Sequence, residues 1–99
     1  MTVESAREIV AQLRELRSVV ADRYKVQEIG LFGSFVRGEQ RAGSDVDVLV
    51  EFNEDADLFD LIGLTLYLEE NLQRHVDVVP KRALRQELRE TVLNEVIPV

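Results

Sequence analysis

Asp45-Val46-Asp47-Val48-Leu49-Val50-Glu51-Phe52 places Val46, Val48, Val50 and Phe52 on one side of an extended segment and Asp45, Asp47, Leu49 and Glu51 on the other. Such period-two alternation marks a half-buried β-strand with one apolar face and an acidic end. Asp45 and Asp47 then share a face, where like charges repel and a hard divalent cation bound through oxygen would relieve them; a solvated polar strand face is the alternative. Upstream, Val26 to Phe32 reads as another strand ended by Gly33, Ser34 to Glu39 as a short helix, and Gln40-Arg41-Ala42-Gly43-Ser44 as the loop into the acidic strand. Downstream, Asp57 caps a helix from Leu58 to about Arg74, and His75 to Val79 forms a third strand stopped by Pro80. A last helix covers roughly Arg82 to Val96. At the other end, Ile9, Leu13, Leu16 and Val20 recur at helical spacing, so residues 3 to 23 read as an amphipathic helix.

The resulting order, α-β-α-β-α-β-α, predicts a mixed α+β (α/β) fold in which helices cover a small mixed sheet of about three strands. The short link between the first two strands permits an antiparallel pair. The long helix before the third is enough for a parallel crossover. At 99 residues there is material for one core, so residues 1–99 read as one domain with no second domain to hold an acceptor.

Composition narrows the function classes. With 45% hydrophobic and 31% charged residues the chain reads as globular rather than disordered. A formal charge of -7 and a pI near 4.7 argue against affinity for long nucleic acid built on phosphate neutralisation. A nucleoside triphosphate bridged by divalent cations remains compatible with that charge. The absence of cysteine excludes a disulfide framework and a thiolate zinc site. Residues 1–8 lack the basic start and apolar core of a signal peptide. The most apolar window, Leu58 to Leu68, is interrupted by Asp60 and falls short of the ~20 residues that span a bilayer. A cytoplasmic protein with no membrane association is expected.

Two further elements join the acidic strand. Gly33 admits close backbone approach, Ser34 offers a hydroxyl, and the N–H groups of the turn that follows point at an anion; the same pair also serves as an ordinary turn and cap. Asp77 lies in Val76-Asp77-Val78-Val79 and falls beside Asp45 and Asp47 if the third strand adjoins the second in natural register. A charge in a short apolar strand is costly unless paired or liganding, although a sheet-edge position or a pair with Lys81 would also accommodate it. A helix-loop-helix calcium site does not fit, because Leu49 and Phe52 fall where oxygen ligands are needed.

Leu31-Phe32-Gly33-Ser34-Phe35-Val36-Arg37-Gly38, the ten residues between Gly33-Ser34 and Asp45-Val46-Asp47, and Asp77 on a later strand together resemble the minimal nucleotidyltransferases, or MNT proteins. These belong to the superfamily that includes DNA polymerase beta. The resemblance implies transfer of AMP from ATP to a hydroxyl with release of pyrophosphate. It assigns Asp45 and Asp47 to two magnesium ions, and Asp77 to completing one metal site and helping to deprotonate the attacking hydroxyl. Gly33 and Ser34 would grip the distal phosphates, with Arg37 and Ser44 as further nucleotide contacts; packing and pairing with nearby acids is the alternative for Arg37. The resemblance also implies a partner, a HEPN-domain ribonuclease toxin silenced by AMP on one of its hydroxyls, typically tyrosine. Inhibition by occlusion without catalysis, and transfer to a small-molecule hydroxyl, are the alternatives.

The helix at 58–72 carries Leu58, Phe59, Leu61, Ile62, Leu64, Leu66, Leu68 and Leu72, more apolar surface than one buried face requires. It is expected to meet another chain, as a homo-oligomer or hetero-oligomer. Arg41, Lys81 and Arg82 read as solvated charges, His75 as structural, and Tyr24 and Tyr67 as packing residues.

Overall fold

Alternating apolar strands and amphipathic helices organise the chain into a sheet with two helices on one face, as described by a computed structural model of residues 5–99. The elements are α1 (Ala6–Tyr24), β1 (Val26–Phe32), α2 (Ser34–Arg37), β2 (Val46–Phe52), α3 (Leu58–Leu72), β3 (Val76–Pro80), a single 3-10 turn at Lys81–Ala83, α4 (Gln86–Glu95) and β4 (Ile97–Pro98). The sheet order is β3-β2-β1-β4. β2 and β3 are parallel, whereas β1 is antiparallel to both β2 and β4. Both expected pairings are therefore present.

Local chemistry sets the element ends. Ser5 caps α1 by accepting a hydrogen bond from the Glu8 N–H at 3.3 Å; residues 3 and 4, where this helix was expected to begin, lie outside the described residues. Asp57 and Asp60 form a reciprocal capping box at the start of α3, with bonds of 3.1 and 2.9 Å. That helix ends at Leu72 rather than Arg74 because Gln73 turns left-handed, at φ 54°. The short helix after Gly33 likewise stops at Arg37, where Gly38 takes φ 73°.

The C-terminal third departs from expectation. Leu84 and Arg85 are both extended, so the helix expected over 82–96 divides into the 3-10 turn and α4. A fourth strand, β4, then pairs Ile97 with Leu31 and Pro98 with Gly30. Two residues containing a proline show no strand periodicity, and an outermost strand is where a proline is tolerated. The same tolerance lets β3 continue through Pro80 on the opposite edge of the sheet.

Val46, Val48 and Val50 are completely buried under α1 and α3, together with Ile9, Leu13, Leu64 and Leu68. Full burial of such side chains contributes about 1.5–3 kcal/mol each. Tyr24 and Tyr67 pack against this core with their rings tilted by 47° and their centroids 5.6 Å apart, in the packing role expected of them. With its valines committed to the helices, β2 turns Asp47 to the opposite face. Among the described residues no helix is long and apolar enough to cross a membrane.

Candidate active site

The parallel register of β2 and β3 sets Asp47 directly beside Asp77. Register partners on adjoining strands project to the same face. Asp45, the residue before β2, follows the same alternation. The three carboxylates expected to act together therefore share one face and one end of the sheet. Asp47 is half-buried, whereas Asp45 and Asp77 are exposed.

Of the environments open to Asp77, it occupies the sheet edge. β3 is the outermost strand, so the carboxylate is solvated and needs no compensating partner. Lys81 pairs with Glu51 instead, at 3.7 Å. What places Asp77 at the site is register, not desolvation.

Asp47 carries the electrostatic cost of the arrangement. Burial, followed by the charges of Asp77 and Asp45 and a smaller contribution from Glu95, pushes its carboxyl up to about 6; Arg37 opposes the shift. A divalent cation would reverse that penalty, and hard carboxylate oxygens are the donors magnesium takes. The donor chemistry thus fits the expected metal. As the side chains stand, no group of three or more His, Cys, Asp or Glu among the described residues gathers around one point, so they share a face without converging.

The Gly-Ser turn lies against Asp47. Gly33 adopts φ 85° and ψ -152°, a conformation open essentially only to glycine. A Cβ there would collide with the Asp47 carboxylate. The Gly33 carbonyl accepts from the N–H groups of Val36 and Arg37 at 3.0 and 3.1 Å, closing the single turn of α2 from Ser34.

Arg37 and Ser44 are engaged within the chain. The Arg37 guanidinium donates to Glu39 at 2.6 Å and to Glu95 at 2.9 Å, and these bonds raise its already high pKa. The Ser44 hydroxyl accepts from the Arg41 N–H at 2.7 Å, while the Ser44 N–H donates to the Arg41 carbonyl at 3.0 Å, closing the turn into β2. His75 is exposed, with Nδ1 3.3 Å from Glu69, consistent with a structural role.

Glu95 was not anticipated at this site. Its Oε2 accepts from the Gly33 N–H at 2.9 Å and its side chain is only 13% exposed. In sequence it is one more acid on a polar helix, indistinguishable from Glu87 or Glu90.

The family model for the nucleotidyltransferase domain matches residues 13–99. The chain is 45% identical over 100 residues to a protein adenylyltransferase, MntA, of Thermococcus cleftensis, covering all of this chain and 97% of that one. It is similar to a solved structure assigned as a minimal nucleotidyltransferase, with 37% identity, a TM-score of 0.84 and complete coverage of both chains. A toxin-antitoxin crystal structure with AMP-PNP contains a chain 28% identical to this one, with a TM-score of 0.67 and coverage of 93% of this chain and 69% of that one.

Proposed function

This chain belongs to the nucleotidyltransferase-domain family, and on that premise we propose that it transfers AMP from ATP to a hydroxyl of a partner HEPN-class toxin, typically a tyrosine, and silences it. The observation that carries this reading is the juxtaposition of Asp47 with both Asp77 and the Gly33 turn. Two carboxylate positions and a glycine turn meet at one end of the sheet. The adenylyltransferase name of the Thermococcus relative and the AMP-PNP of the toxin-antitoxin structure support it.

Asp45, Asp47 and Asp77 are the residues that would hold magnesium, which supplies charge neutralisation to the triphosphate when bound. Gly33 and Ser34 offer a backbone turn and a hydroxyl to the distal phosphates. Asp77, exposed on the edge strand, is open to an acceptor arriving from solvent and takes the proton of its hydroxyl. The acceptor oxygen bonds to the α-phosphorus as the bond to the β-phosphate breaks, and pyrophosphate leaves. The chain's part is positioning and charge management.

The partner surface is α3. Leu58, Phe59, Ile62 and Leu66 are exposed, Phe59 at 83% and Leu66 at 61%. A groove lined by Ile62, Leu66, Val76 and Asp77 joins this apolar stripe to the carboxylate face. A toxin seated on α3 therefore brings its hydroxyl towards Asp77. The same stripe is what a non-catalytic antitoxin would use to occlude its target, so the two readings share a surface and differ in chemistry. Incubation of the toxin with this chain, ATP and magnesium, followed by intact mass spectrometry, tests the proposal: an adenylyl adduct is expected, and an unmodified toxin would overturn it.

A further inference from the structure

Glu95 ends α4, yet its carboxylate reaches the turn after β1, 62 residues earlier in the chain. One oxygen accepts from the Gly33 N–H and the other from Arg37 Nη1, both at 2.9 Å. Bonds to an ionised group are shorter and stronger than neutral ones, and this carboxylate is nearly buried. Its approach is held on the C-terminal side by β4, which pairs with Gly30 and Leu31. Gly30 is itself required there, because a Cβ would meet Val96 Cγ2 at 2.6 Å. The C-terminal segment is therefore locked to the end of β1 that leads into the Gly33 turn, with Glu95 as the clasp.

Two features separate this contact from routine packing. A carboxylate at a helix C-terminus opposes the helix dipole, so the position is unfavourable without strong donors. It also adds negative charge beside three other carboxylates. The donors it engages are the backbone N–H of the turn glycine and the guanidinium of Arg37, the residue whose own N–H closes the same turn.

We infer that Glu95 is a positioning residue that holds the Gly33-Ser34 turn and Arg37 in the arrangement that receives the triphosphate. The inference rests on the nucleotidyl-transfer reading. Glu95 touches no reacting atom; it acts through Gly33 and Arg37.

The test compares wild type, Glu95→Ala and Glu95→Gln for binding of AMP-PNP with magnesium by calorimetry and for adenylyl-transfer kinetics. Loss of a hydrogen-bonded charge predicts a rise of about tenfold in Kd and KM for Glu95→Ala, with kcat changed far less. Glu95→Gln retains an acceptor for the Gly33 N–H and should recover most of the loss; a merely structural role would lower the melting temperature without separating KM from kcat. If Glu95→Ala fails to fold, Glu95→Gln carries the test, with a rise in KM smaller than tenfold expected. Analogue binding by Glu95→Ala as tight as wild type, or tighter, overturns the inference, as does Glu95→Gln with an unchanged KM. Wild type that binds no analogue removes the nucleotidyl-transfer reading and this inference with it.

Discussion

Gly33 packs against Asp47 so closely that the carboxylate occupies the space a Cβ on the glycine would need. The Gly33 turn and the principal metal-binding candidate are thus one packed unit rather than two neighbouring motifs. Gly33→Ala forces an L-residue into φ 85°, ψ -152° and pushes Asp47 aside. Backbone strain of that kind costs about 1–3 kcal/mol. A lowered melting temperature together with loss of AMP-PNP binding is the expected outcome. A variant that melts like wild type and binds the analogue would show that the turn and Asp47 are not coupled.

The raised pKa of Asp47 gives stability a direction with pH. Between its unfolded value of 3.8 and its folded value of about 6, the native state binds more protons than the unfolded one. This group's contribution is therefore fully present below the unfolded value and is lost as pH rises through about 6. Asp47→Asn removes the loss, so the variant should gain melting temperature relative to wild type as pH is raised from 4 to 8. Magnesium competes with the proton, and its affinity for wild type should rise across the same interval. Thermal melts of both proteins with and without magnesium check this; a difference between them that does not change with pH would contradict it.

Two leucines of α3 should behave oppositely. Leu68 is completely buried in the core, and Leu68→Ala is expected to cost about 2–5 kcal/mol in denaturant unfolding.

Leu66 is 61% exposed, and Leu66→Glu should leave stability within about 0.5 kcal/mol of wild type while weakening capture of the toxin. Undiminished complex formation in a pull-down of purified components would remove α3 as the docking surface.

Much of the fold was legible because its deciding elements obey short-range rules. Alternation in 45–52 fixes which face of β2 is buried, Asp57 announces α3, and the length of that helix implies the parallel crossover that brings Asp77 beside Asp47. The contacts of the C-terminal segment are long-range, and no local pattern records them. β4 is two residues with a proline at the sheet edge, and Glu95 gains its meaning only from Gly33, 62 positions away. Asp77 was placed beside Asp47 by register, and the sheet-edge position left open for it is the one found, because alternation alone does not reveal which strand lies at the edge. Arg37 carries donors that suit a phosphate, yet Glu39 and Glu95 accept them within the chain, and the Ser44 hydroxyl accepts from the Arg41 N–H.

The Asp45, Asp47 and Asp77 face should perform chemistry on the partner rather than merely lie beside it. The most direct measurement prepares the toxin complex with wild type and with Asp47→Asn, supplies ATP and magnesium to both, and maps adenylylated toxin peptides by mass spectrometry while scoring complex formation in the same samples. The expected result is a toxin hydroxyl bearing AMP with wild type, and an intact complex with unmodified toxin for Asp47→Asn. An equally intact complex in which wild type also leaves the toxin unmodified, while still inhibiting it, would contradict the claim.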